Sequence, residues 1–130
     1  MKNAWINFKH PHEKSHLMYV HWSLAMVLSA MSGWCKQNKV PFVITSMIRS
    51  RAENVAAGAK SMTHVEGRAA DISIRGWSET DIDLFKAFWT NHDFNKNYGA
   101  ISSSSMKAKL IYVHGEHENR HIHVQVRRGL

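Results

Sequence analysis

The segment His121-Ile122-His123-Val124-Gln125-Val126 alternates polar residues with β-branched apolar ones, and it restricts the fold more than any other stretch of the chain. Successive side chains of a strand point to opposite faces, so Ile122, Val124 and Val126 require a core on one side while His121 and His123 share the other. The sheet that holds this strand has one covered face and one open face. Both histidines stand on the open one.

The remaining pattern supplies partners for that sheet. From about Ser15 to Asn38, Leu17, Trp22, Met26, Leu28 and Met31 recur at helical spacing without an internal proline, which predicts one long helix. Pro41 opens PFVITSMI, a β-branched run of strand length, and Ala69 to Ile74 reads as a second strand with Asp71 and Ser73 on its polar face. Arg51 to Thr63 is small, polar and glycine-containing, and reads as a loop. Ser78 or Thr80 can cap a helix that carries Ile82, Phe85, Phe88 and Trp89 on its core face. Asn91 to Gly99 reads as turns, Ala100 to Ile101 as a short strand, and serines 102 to 105 as a loop. Leu110 to Val113 and His121 to Val126 form a hairpin through GEHENR. The class expected is α+β, with helices packed on a largely antiparallel sheet.

A length of 130 residues suits one domain over 1–130, with the N-terminal helix at about 15–38 and a site-bearing part at about 40–126. Cys35 is the only cysteine, which rules out an intrachain disulfide and a cysteine-rich zinc finger, so any metal takes histidine and carboxylate ligands. Cys35 itself, next to Trp34, reads as a buried small hydrophobe. Trp34, Trp77 and Trp89 read as packing residues, not as a glycan-stacking set. The first residues lack the apolar core of a signal peptide, and no run reaches the length of a membrane span, so cytoplasmic synthesis and a monomer are expected. The formal charge of +7 favours a polyanionic partner without naming one, and the dispersed cations outline no dedicated nucleic-acid site.

Chemistry concentrates in two places. In Ser61-Met-Thr-His64-Val-Glu-Gly67-Arg-Ala-Ala-Asp71 a turn glycine separates a loop histidine from an acid on a strand, so two ligands can converge there. From this stretch alone, a loop-capping His64 with Asp71 paired to Arg49 or Arg75 explains the residues equally well. His121 and His123 change the balance, because two histidines, one carboxylate and an open position make a catalytic zinc set.

The chain here resembles the zinc peptidases of the D-Ala-D-Ala carboxypeptidase and L-alanyl-D-glutamate endopeptidase type, which share the hedgehog/DD-peptidase fold. The resemblance rests on Thr45-Ser46-Met-Ile-Arg49-Ser50, Asn54, Gly58, Ser61-x-x-His64-x-x-Gly67-Arg-Ala-Ala-Asp71-Ile72 and His121-Ile-His123-Val, and covers roughly residues 40 to 126. It implies zinc held by His64, Asp71 and His123, with His121 as catalytic base. It also implies that Arg49 steadies developing negative charge on the substrate and that Ser61 binds substrate. One departure stands out: Arg120 lies three residues before His123, where many members carry an acidic base, whereas Glu118 lies three before His121. A second register, with His121 as ligand and Glu118 as base, stays open.

The activity implied is metal-assisted hydrolysis of a stem or cross-bridge peptide bond in bacterial peptidoglycan, as in phage lysins that reach the wall after release or in the virion. The alternatives are a non-catalytic zinc-binding module of the same fold and a cytosolic D,D-dipeptidase.

Overall fold

The computed structural model describes residues 6–10, 19–47, 56, 66–102, 105–116 and 119–128. In chain order these form β1 (Asn7–Phe8), α1 (Trp22–Gln37), β2 (Val43–Ser46), β3 (Ala69–Ser73), α2 (Glu79–Asn91), α3 (Asp93–Tyr98), β4 (Ala100–Ile101), β5 (Ala108–Lys109), β6 (Ile111–His114) and β7 (His121–Gln125). A five-stranded sheet has the order β1-β2-β3-β7-β6, and β4 pairs with β5 separately. β1 runs parallel to β2, and the other neighbours in the large sheet are antiparallel. The fold is thus α+β as expected, and the sheet, expected to be largely antiparallel, is mixed because β1 joins it in parallel.

The period-two pattern places the core. Ala70, Ile72, Ile111, Ile122 and Val124 are buried on one face of the sheet, together with Ile44. α1 covers that face with Leu24, Val27, Leu28, Met31 and Cys35, all fully buried. Burial of a side chain such as Leu28 contributes about 1.5–3 kcal/mol.

Several expectations need correction. α1 starts at Trp22, where the His21 ring nitrogen accepts from the Ser23 N–H at 3.2 Å and supplies the cap. The earlier part of the expected helix at 15–18 lies outside the described residues. The buried stripe of α1 is also turned from the predicted one, since Trp22 is exposed and Leu24 and Val27 face the core. Phe88 is 46% exposed rather than buried, and covers Trp34 and Trp89 from outside. Asn91 to Gly99 contains a helix, α3, because the His92 side chain accepts from the Phe94 N–H at 3.1 Å and caps it. Of the two possible caps for α2, Ser78 is the one used, in a reciprocal pair of hydrogen bonds with Asp81.

Gly67 ties β3 to the start of α1. Its φ is +69°, and a Cβ there would meet Tyr19 O and Val20 Cα at 3.3 Å, while its carbonyl accepts from the His21 N–H at 2.8 Å. Gly67→Ala is expected to lower stability by more than about 1 kcal/mol in denaturant unfolding, through left-handed strain and the crowded contact.

Burial, and secondarily the charge of Asp81, pushes the Cys35 thiol from an ordinary 9.0 up to about 12. The folded thiol stays neutral while the unfolded one ionises first, so its contribution is intact below pH 9.0 and is lost as pH rises toward about 12. Two results are expected: no reaction of the native protein with a thiol reagent at pH 8, and less alkaline loss of stability in Cys35→Ala.

Candidate metal centre

The open face of the sheet carries the site. β3 and β7 pair with Asp71 opposite His123 and Ser73 opposite His121, and β6 sets Tyr112 beside His123 and His114 beside His121. Directly paired residues in a sheet share a face, so Asp71, His114, His121 and His123 form one patch.

Asp71 is its hub. Its side chain is 8% exposed, and Oδ1 lies 2.9 Å from His123 Nδ1 and 3.6 Å from His121 Nε2. A carboxylate this buried is costly unless compensated, and these imidazoles compensate it. The backbone beside it is also irregular. The pairing of β2 with β3 shifts between Ile44 and Ser46, leaving Thr45 in a bulge, and the Thr45 hydroxyl donates to the Asp71 carbonyl at 3.2 Å. Such a bulge re-aims side chains at the end of a strand.

The two histidines of β7 differ in setting. His123 is 12% exposed and held at both ends, with Nδ1 on Asp71 and Nε2 2.9 Å from Gln125 Oε1. His121 is half-buried, and its Nδ1 donates to the Asn119 carbonyl at 2.8 Å, which sets Nε2 on the Asp71 side of the ring. Arg120, just before it, makes a two-pronged ion pair with Glu79 and so anchors the start of β7 to the first turn of α2. That guanidinium holds the Glu79 carboxyl below its ordinary range.

A cleft of about 1100 Å³ opens at one edge of this patch, lined among others by Thr45, Asp71, Ser73, Asn119, Arg120 and His121. Of the patch, Asp71 and His121 line it.

His114 is a neighbour that the sequence reading missed. Its ring centroid lies 5.2 Å from that of His123 and 5.9 Å from that of His121. Burial first, and then those two imidazoles, hold its pKa below the ordinary value. Its signal was present in Tyr112-Val113-His114, which alternates in the same phase as His121-Ile122-His123.

Of the expected site residues, the structure brings together Asp71, His121 and His123. Arg49, Ser61, His64 and Glu118 lie outside the described residues. Two donors about 2.0–2.1 Å from a tetrahedral zinc stand roughly 3.3 Å apart. The Asp71 distances of 2.9 and 3.6 Å to the two imidazoles bracket that spacing. The nitrogen and oxygen donors therefore suit zinc in kind, and each pairs singly with Asp71 near that separation. They form a partial set, since among the described residues no group of three or more such side chains could hold a metal ion.

A family model described as Peptidase M15 matches residues 8–125, a span that includes β2, β3 and β7. No curated protein and no solved structure matches the chain. Among the described residues no helix is long and apolar enough to cross a membrane.

Gln125 holds the ring of His123, so in a chain that takes zinc through this histidine Gln125→Leu would weaken the binding about 10–100-fold. Competition with a chromophoric chelator measures this directly.

Proposed function

The chain belongs to the peptidase M15 family of metallopeptidases, and from that premise we propose that it is a zinc-dependent peptidase that hydrolyses stem or cross-bridge peptide bonds of peptidoglycan. The observation that carries the proposal is the convergence of Asp71, His121 and His123 on the open face of the sheet, with Asp71 and His121 lining a cleft.

In this reading His64, Asp71 and His123 hold the metal, which supplies a Lewis acid for the scissile carbonyl and lowers the pKa of water. His121 moves the proton. Its Nδ1 is fixed on the Asn119 carbonyl, so Nε2 can take a proton at the cleft and return it to the leaving amine. Asp71 gains a favourable partner when that imidazole becomes charged. Arg49 steadies the negative charge that develops on the substrate oxygen, and Ser61 binds substrate, as the family resemblance implies.

A second register draws support from the same geometry. A histidine whose Nδ1–H is tied to a carbonyl and whose Nε2 is set toward a carboxylate is also arranged as a metal ligand usually is. His121 would then replace His123 as ligand, with Glu118 as base.

The positive charge favours approach to an anionic envelope. We propose a phage-type lysin that acts on the wall after release or from a virion.

The test measures zinc content and hydrolysis of purified peptidoglycan for wild type, His64→Ala, His121→Ala and His123→Ala, with and without a chelator. About one zinc per chain and chelator-sensitive hydrolysis, both lost in His64→Ala, are expected. Zinc kept by His121→Ala and lost by His123→Ala supports the first register, and the opposite pattern supports the second. Zinc without hydrolysis of walls or dipeptides identifies a non-catalytic module, and hydrolysis of dipeptides alone a dipeptidase.

A further inference from the structure

His121 is the first paired residue of β7, opposite Ser73 on β3 and His114 on β6, and the chain before it leaves the sheet. Strand ends of this kind open at low cost. The His121 ring is set by its own approach segment, because Nδ1 donates to the Asn119 carbonyl at 2.8 Å. The aim of the imidazole therefore depends on what holds the backbone at residues 119 and 120.

Arg120 holds it. Its guanidinium makes a two-pronged pair with Glu79, the first residue of α2, through Nη1 to Oε1 and through Nη2 to Oε2 at 3.1 Å. α2 is itself fixed, since Ser78 and Asp81 close its first turn and Ile82, Phe85 and Trp89 are buried. The pair thus ties a strand end to a packed helix across 41 positions of sequence. The Glu79 side chain is 71% exposed, and an ion pair in that setting contributes little to stability. Its two prongs supply direction instead, because the planar fork fixes the orientation of the guanidinium as well as its distance.

We propose that the Arg120–Glu79 pair is a latch that positions His121, with Glu79 as a positioning residue that acts through Arg120 and the Asn119 carbonyl. This rests on the peptidase reading, in which His121 moves the proton, and adds to it a residue on another element. Glu79 is not among the described residues that line the cleft, so altering it leaves the described lining unchanged.

Glu79→Ala opens the latch, and Glu79→Gln keeps one prong. Nitrogen-15 chemical shifts of the histidine rings, taken on the metal-free full chain at pH 8, report which nitrogen of His121 carries the proton. Nδ1 is expected in wild type, and a mixture of the two nitrogens in Glu79→Ala. Hydrolysis of a soluble stem peptide by the zinc-loaded chain is expected to show kcat roughly tenfold lower in Glu79→Ala, through a misplaced catalytic group. Glu79→Gln should fall between, with KM and the unfolding midpoint unchanged in both variants. An unchanged ring proton in Glu79→Ala, an unchanged kcat beside an active wild type, or a kcat lost in step with the unfolding midpoint would overturn the latch. A wild type that holds the proton on Nδ1, loses that order in Glu79→Ala and cuts no peptide would count against the peptidase reading and leave the positioning of the ring standing.

Discussion

A nearly buried carboxylate on the middle strand of a sheet has to be compensated, and the arrangement around Asp71 follows from that need. Asp71 stands opposite His123 on β7, with His121 one strand position along the same face, so the register of one antiparallel pair brings both imidazoles to one oxygen. A one-residue slip would send Asp71 into the apolar core and Ile72 to the open face. The packing of Ile72, Ile122 and Val124 against α1 therefore enforces the polar geometry on the other side of the same strands.

Around that pair the structure fixes positions from outside. The Arg120–Glu79 pair holds the start of β7 to α2, and the Thr45 bulge braces the backbone of Asp71. Arg68 closes the opposite end of β3: its guanidinium is mostly buried, donates to the Val126 carbonyl at 2.8 Å and pairs with Glu66. That pairing holds the Glu66 carboxyl below its ordinary range. Strand ends that would otherwise fray are thus tied to neighbouring segments, and the site lies between the ties.

Much of this was legible before any coordinates. Alternation marked β7 and its two faces, the polar phase of Asp71 was clear from Ala69 to Ile74, and Ser78 was one of two possible caps. The misses have a common cause. β1 and β5 are two residues long and exist through their partners, and α3 depends on His92, a residue with no strong local signal as a cap. Phe88 falls on an apolar helical position, yet Phe85 and Trp89 fill the space against the core and leave it outside.

The sequence by itself determined the sheet's two faces, the residue types able to bind a metal and the absence of a disulfide, because these depend on period and side-chain chemistry along a local stretch. The tertiary structure alone decided that Asp71 meets both His121 and His123, that His114 joins them and that Arg120 reaches Glu79. Those relations link residues far apart in the chain, and strand register and packing, which no local pattern encodes, set the distances between them.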